Sequence, residues 1–177
     1  TPRTAGFNTI DYSLCRFETL FLTIILMFIG TSPGSTGGGI KTTTFAIIMA
    51  SLWAMLRGLS DTVLFKRRIA NETIAKALLT VSLAVLLIIF ATFIIMKTQG
   101  APLLPAIFEV TSAFGTVGLS VGDGGGRSMS ALYTPFGKYL ISLIMFAGRL
   151  GPLTLAIAII VQKKTYFRYP EGKVIIG

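Results

Sequence analysis

Apolar and polar positions alternate in blocks rather than singly, so the chain reads as long membrane-length segments joined by short polar connections. Residues 77–96 carry no charge and are rich in Leu, Ile, Val and Phe. About twenty helical residues cover the ~30 Å hydrocarbon core of a bilayer. Lys76 and Lys97 stand at the two edges, where their heads can snorkel to the surface. The pattern predicts one complete transmembrane helix. Ahead of it lie Arg57, Lys66, Arg67, Arg68 and Lys76 in a connection that also holds Gly58, Ser60 and Asp61, and such a basic loop is expected on the cytoplasmic side.

The next apolar run, 103–114, is only about a dozen residues long, begins among Pro102 and Pro105 and runs into glycine. A segment this short is expected to be re-entrant. It dips in as a short helix and returns through Gly115, Thr116, Val117, Gly118, Leu119 and Ser120. Irregular backbone at membrane depth is tolerated only where it is buried in protein or lines an aqueous cavity, so the returning strand is expected to line a pore. Residues 121–130, with Gly124, Gly125 and Gly126, then form a flexible extracellular loop. Residues 133–162 are again apolar apart from Lys138 and Arg149 and cross back to Lys163, Lys164, Arg168 and Lys173.

The first third repeats this arrangement with its beginning missing. Thr4, Ala5, Gly6 and Phe7 match Thr116, Val117, Gly118 and Leu119: a threonine, an apolar residue, a glycine and a large apolar residue. The apolar segment that follows, 19–56, is too long for one straight span and is interrupted by Thr31, Ser32, Pro33, Gly34, Ser35, Thr36, Gly37, Gly38 and Gly39. An interior glycine costs a helix about 1 kcal/mol and a proline about 3 kcal/mol, so the helix breaks inside the membrane. Broken helices with polar loops are where transporters place ion sites and gates. The alternative is a pair of re-entrant hairpins that touch no pathway, which would set the first pore loop on the same side as the basic connection. A phosphate-binding loop is imitated by Gly34 and Gly39, but Ile40 separates the glycine from Lys41 and no strand precedes it.

Arg149 is expensive near a bilayer centre, about 2.5–3.5 kcal/mol on the insertion scale, and so must face protein or water. It lies in Gly148-Arg149-Leu150-Gly151-Pro152, where glycine and proline loosen the helix. Carbonyls and hydroxyls of the broken loop are its expected partners; the other reading is an arginine that locks two helices together. Glu109, in the short re-entrant helix, either adds a negative field to the pore or serves as a hydrogen-bond acceptor behind the strand.

Composition agrees with lipid as the main solvent: hydrophobic residues make up 53% of the 177, charged residues 13%, and the mean hydropathy is +0.77. The net charge of +9 would suggest nucleic acid in a soluble protein. Here the basic residues sit in patches between apolar runs, without a basic helix face, and no nucleic-acid partner is expected. The chain has no histidine and a single cysteine, Cys15, which removes the commonest general base and any intrachain disulfide. No enzyme activity is expected: an intramembrane protease would need facing carboxylates, whereas Asp61 and Asp123 fall in loops on opposite sides. The chain opens at Thr1 without a signal peptide and reads as a fragment of a longer polypeptide.

Taken together, these residues carry a resemblance. Thr116-Val117-Gly118 looks like the filter core of potassium channels, with Leu119-Ser120 departing from the usual Tyr-Gly. That departure, the tandem units, the glycine-rich break from Gly34 to Thr44 and Ala147-Gly148-Arg149-Leu150-Gly151-Pro152 resemble the Trk/Ktr/HKT superfamily of potassium transporters. The end Tyr169-Pro170-Glu171-Gly172-Lys173 looks most like the bacterial Ktr-type membrane subunit. The resemblance implies an all-α membrane protein of tandem helix, pore loop, helix repeats, multi-pass in the bacterial plasma membrane. Residues 1–57 would end the third repeat, 58–76 form a cytoplasmic connection, 77–162 the fourth repeat and 163–177 a cytoplasmic tail.

It further implies potassium uptake through a filter of backbone carbonyls from Thr4, Ala5, Gly6, Phe7, Thr116, Val117, Gly118 and Leu119. Gly34, Ser35, Thr36, Gly37, Gly38, Gly39 and Arg149 would form an intramembrane gate. Its partners would be the missing N-terminal half of the polypeptide, a second copy in a homodimer, membrane lipid and a cytoplasmic ring of nucleotide-binding regulatory subunits. No cofactor is expected, and the potassium ion is the transported substrate. The competing functional classes are a proton-coupled secondary transporter of a small solute, which also uses broken helices, and a purely structural membrane subunit.

Overall fold

A computed structural model describes residues 4–59, 61–64, 66–122 and 127–159, with side chains to residue 155. The loop glycines Gly124, Gly125 and Gly126 and the tail 163–177 lie outside the described residues. After a short 3-10 turn at Tyr12–Leu14, α1 (Phe17–Phe28) and α2 (Thr42–Leu56) flank the glycine-rich segment. A small hairpin, β1 (Val63–Leu64) with β2 (Arg67–Arg68), leads to the long α3 (Asn71–Gln99). Then come α4 (Leu103–Gly115), α5 (Met129–Leu132), α6 (Pro135–Leu150) and α7 (Pro152–Ile159).

Helix α3 has no glycine or proline inside it and stops where Gly100 adopts a left-handed conformation at φ 65°, its N–H returning to Met96 O. It begins at Asn71, ahead of the uncharged run that starts at residue 77. Glu72 and Lys76, one turn apart, form an exposed ion pair at 2.6 Å in these first turns. One face of α3 buries Ala77, Ala84, Ile88, Ala91, Thr92 and Ile95, and its small residues let neighbouring backbones come close. Its other face exposes Leu86, Ile89, Phe90 and Phe93. An apolar surface on both sides suits a helix packed inward and bathed by lipid outward. Among the described residues it is the one helix long and apolar enough to cross a membrane.

Helix α4 is too short to cross, spanning about 20 Å at 1.5 Å per residue, and it sits at the centre. It packs on α1, α3 and α6, and from Phe108 to Gly115 every residue is buried. The expected re-entrant element is therefore the core. Both apolar segments that follow a pore-type strand are broken. The first breaks between α1 and α2, as its glycines predict. The second, expected as one crossing over 133–162, breaks at Gly151 (φ 88°, ψ 135°), where the fixed φ and absent N–H of Pro152 restart a helix. At the other end of α6, the Gln99 side chain accepts from Thr134 N and donates to Thr134 Oγ1, both at 2.9 Å, tying α3 to the start of α6.

The hairpin was not legible beforehand because its turn places Lys66 at φ 62°, a conformation usually signalled by glycine or asparagine. An ion pair between Arg68 and Asp61 at 2.9 Å holds the second strand.

Packing of α6 on α4 is closest at Gly148. A Cβ there would collide with the carbonyl of Phe114, and neither backbone can move away cheaply. Gly148→Ala is therefore expected to lower stability by about 1–3 kcal/mol. Thermal unfolding of the full-length detergent-solubilised protein checks this; an unchanged melting temperature would contradict the close approach.

Candidate ion pathway and gate

The two strands singled out by sequence share one backbone signature. Thr4 and Gly6 have φ of 51° and 72°, and Thr116 and Gly118 have φ of 51° and 84°. A threonine in the left-handed region is uncommon and persists only where its surroundings impose it. For Thr116 the imposing element is the end of α4, where Thr116 N donates to Ala113 O at 3.0 Å and Val117 N to Ser112 O at 2.9 Å. Beyond it the strand alternates. Val117, Leu119 and Val121 are buried in a cluster with Leu20, Met27 and Phe108. Thr116, Gly118 and Ser120 take the other face and line a cavity of about 340 Å3 that also touches Ser112 and Glu109.

These strands lie against each other glycine to glycine. A Cβ on Gly6 would fall 2.6 Å from Val117 O, and one on Gly118 would fall 3.7 Å from Gly6 Cα. At their outer end Asn8, Asp11, Gly118, Ser120, Gly122 and Arg127 surround a second cavity of about 350 Å3. Asp11 was not singled out from sequence, yet it puts a carboxylate at this mouth.

Glu109 stands behind the second strand. Its Oε2 accepts from Ser120 Oγ at 2.6 Å and its Oε1 from Ser130 N at 3.0 Å. Ser120 Oγ in turn accepts from Met129 N at 2.8 Å and Gly122 N at 3.2 Å. Of the two readings left open for this residue, the hydrogen bonds support the acceptor: both carboxylate oxygens are turned to the strand and to the loop behind it.

The break between α1 and α2 is a compact loop closed at its neck. Gly30 N donates to Ile40 O at 2.8 Å, Ile40 N to Phe28 O at 3.1 Å and Thr42 N to Thr31 O at 3.3 Å. Its floor reaches the pore-type strands. Gly38 N donates to Thr116 Oγ1 at 2.9 Å, and a Cβ on Gly37 would come within 3.0 Å of Thr4 Oγ1. Gly37, Gly38 and Gly39 are buried, whereas Gly34, Ser35 and Thr36 form the exposed lobe.

The loop's carbonyls are gathered by Lys41, which sequence reading passed over as part of a failed phosphate motif. Its Nζ donates to Gly37 O at 2.7 Å, Ser35 O at 3.2 Å and Thr31 Oγ1 at 3.5 Å. Ser35 Oγ also donates to Thr31 Oγ1. Arg149, expected on these acceptors, lies on an exposed face in the last turn of α6, and no hydrogen bond or ion pair reaches it among the described residues. It nevertheless follows Gly148, which touches Phe114 O, the same carbonyl that Gly38 approaches. Arg149 therefore starts close to the loop without gripping it here.

Residues 1–169 match the family model TrkH, described as cation transport protein. The chain belongs to this family. TrkH-family relatives include a Ktr system potassium uptake protein B of Bacillus subtilis (strain 168), 45% identical over the whole chain and 38% of that protein. The protein of the same name from Vibrio alginolyticus is 38% identical, again over the whole chain and 38% of its length. A potassium/sodium uptake protein NtpJ of Enterococcus hirae is 37% identical over the whole chain and 40% of its length. The chain thus spans less than half the length of these curated relatives. Among solved structures, the potassium transporter TrkH from Vibrio parahaemolyticus matches with a TM-score of 0.74 and 21% identity, over 90% of this chain and 35% of that one. The fold is accordingly that of an all-α membrane transporter.

Because buried Glu109 joins two half-buried donors, Glu109→Ala is expected to destabilise the protein by about 1–3 kcal/mol, with Glu109→Gln milder since one acceptor oxygen remains. Thermal unfolding of the full-length transporter ranks the three proteins; equal stability of all three would remove the bracket.

Proposed function

We propose that this chain is the carboxyl-terminal part of a bacterial potassium uptake transporter, contributing two of the carbonyl-lined loops of its filter and the gate beneath them. The observation that carries the reading is the paired backbone signature, Thr4 with Gly6 and Thr116 with Gly118, in two strands that meet at their glycines above a glycine-rich loop. Backbone oxygens of Thr4, Ala5, Gly6, Phe7, Thr116, Val117, Gly118 and Leu119 replace part of the hydration shell of an entering ion, with matching loops supplied by the rest of the polypeptide. One glycine per loop gives fewer well-formed binding layers than a full channel filter. Potassium uptake by named relatives, and potassium/sodium uptake by one of them, supports the substrate class. A homodimer on a cytoplasmic ring of nucleotide-binding regulatory subunits belongs to the same proposal and rests on the family resemblance alone.

The loop works as a gate because it lies directly under the strands, held by contacts at its floor and by one lysine. Opening has to release Gly38 from Thr116 and the Gly37 and Ser35 carbonyls from Lys41. Arg149, exposed in the last turn of α6 next to Gly148, adds a fixed positive charge that repels cations below the filter.

Rubidium uptake into proteoliposomes of the full-length transporter, with sodium as competitor, tests the filter. Gly118→Ser has room for its side chain but forces an L residue to φ 84°, so potassium-over-sodium discrimination is expected to fall while assembly persists. Unchanged selectivity in the folded variant would overturn the filter assignment.

The gate is tested by rate. A charge-assisted hydrogen bond contributes about 1.5–3 kcal/mol, so Lys41→Gln is expected to shift the loop toward its open state by about tenfold or more and to raise flux with little change in selectivity. Arg149→Gln is expected to act in the same direction through the lost charge alone, and the two changes combined to be additive, because Arg149 shares no partner with Lys41. If flux falls in a folded Lys41→Gln variant, the loop is scaffold.

A further inference from the structure

Helices α1 and α3 both pack on α4, and α2 packs on α3, which leaves a seam between α1 and α3. A cavity of about 280 Å3 lies in it. None of its lining residues belongs to the pore-type strands or to the glycine-rich loop. Ile25 and Phe28 of α1 form one wall, Val85 and Ile89 of α3 the other. Deeper in stand Ile88 and Thr111, 6% and 1% exposed, with half-buried Ile107 beside them. Thr111 is the one lining residue with a polar side chain. The rim is open: Ile25, Phe45, Val85 and Ile89 are all exposed. On α3 that rim runs without a break into the exposed apolar face of Leu86, Phe90 and Phe93. Val85 to Ile89 also stand near the middle of the uncharged run 77–96, about 15 Å from either end.

We propose that this cavity is a lateral site for one acyl chain of a membrane lipid, which enters from the bilayer between α1 and α3. Water is a poor occupant, because a buried water needs two to four polar partners and the lining offers one hydroxyl. An empty cavity forfeits the dispersion contacts of every atom around it. A hydrocarbon tail restores them and loses no hydration on entry, since bilayer and cavity are equally apolar. The depth selects the tail over the headgroup, whatever the headgroup's charge. Once seated, the chain lies against Phe28, whose carbonyl accepts from Ile40 N at the neck of the loop and whose ring stacks on Phe114 at 6.4 Å. Occupancy depends on the membrane placement of α3 and not on the filter or the gate, so a failed uptake experiment leaves it standing and its own failure leaves them.

The test uses the full-length transporter in nanodiscs of phosphatidylcholine that carries a photoactivated diazirine near the middle of one acyl chain, with adducts located by mass spectrometry. Labelling is expected at Ile88, Ile107 and Thr111 inside the cavity as well as at Phe90 and Phe93 outside it. A diazirine on the headgroup is expected to leave the three inner positions unlabelled. In Val85→Trp, which crowds the opening, labelling of those three is expected to fall by about tenfold or more while Phe90 and Phe93 label as before. The wild-type comparison of the two probes decides the matter if that variant does not fold. Adducts confined to Phe90 and Phe93 mean a cavity that no chain enters and overturn the proposal. No adduct at any of the five positions means that the rest of the polypeptide or a second copy covers the seam, and overturns it too. Equal labelling of Thr111 by a water-soluble diazirine, or undiminished labelling in folded Val85→Trp, does the same.

Discussion

The last turn of α4 is the constraint on which the rest depends. Three separate backbones press on it: Gly38 of the loop and Gly148 of α6 against the Phe114 carbonyl, and Met27 O of α1 within 2.8 Å of where a Cβ on Gly115 would stand. No side chain fits in these contacts, so the spacing of the whole bundle is set by backbone atoms. Thr116 begins the strand immediately beyond, already forced to positive φ. The partial negative end of the α4 dipole points into this same junction, which favours a cation nearby. One short buried helix thus locates the strand above it and the loop beside it.

A glycine-rich break inside a membrane leaves backbone groups that lipid cannot satisfy. This chain meets the problem with its own parts. The neck hydrogen bonds between Gly30 and Ile40 and between Ile40 and Phe28 close the loop, Thr116 takes the Gly38 N–H, and Lys41 supplies donors to the carbonyls left over. An ammonium suits that task because its three donors rotate freely and need no planar partner. The arrangement is satisfied in one position only, and moving the loop uncovers several polar groups at once.

Much of this was legible in the sequence because it is written in residue types with strong physical preferences. The uncharged run 77–96 and the short run 103–114 between prolines and glycine pointed to their helices, and the cluster from Pro33 to Gly39 to a break, read either as a gate or as two re-entrant hairpins. The matched Thr-x-Gly pairs located both strands, and the structure gave them matching φ angles. What was not legible depended on three-dimensional neighbours. Lys41 follows the loop by two residues and looked like a failed nucleotide motif; only the fold of the loop turns its side chain back onto Gly37. Arg149 was over-read for the opposite reason: its cost in a bilayer is clear from sequence, but its partner is not, and the nearer cation had already taken the carbonyls. The hairpin escaped notice because Lys66 does what glycine normally does.

The Gly38 to Thr116 hydrogen bond has a consequence for how filter and gate relate. Thr116 is at once the cap of α4, the first residue of the proposed filter strand and the acceptor for the loop. When the loop is seated, it fixes the threonine hydroxyl from below while Glu109 fixes the same strand through Ser120 from behind. Releasing the loop removes the first restraint and leaves the second. A threonine at φ 51° is held there first by the cap hydrogen bonds of α4, and the loop adds a further restraint whose release lowers the barrier to relaxation of the strand. Gate and filter in the proposed transporter are therefore coupled through a single side chain, and the open state is expected to hold the innermost ion position less rigidly than the closed one.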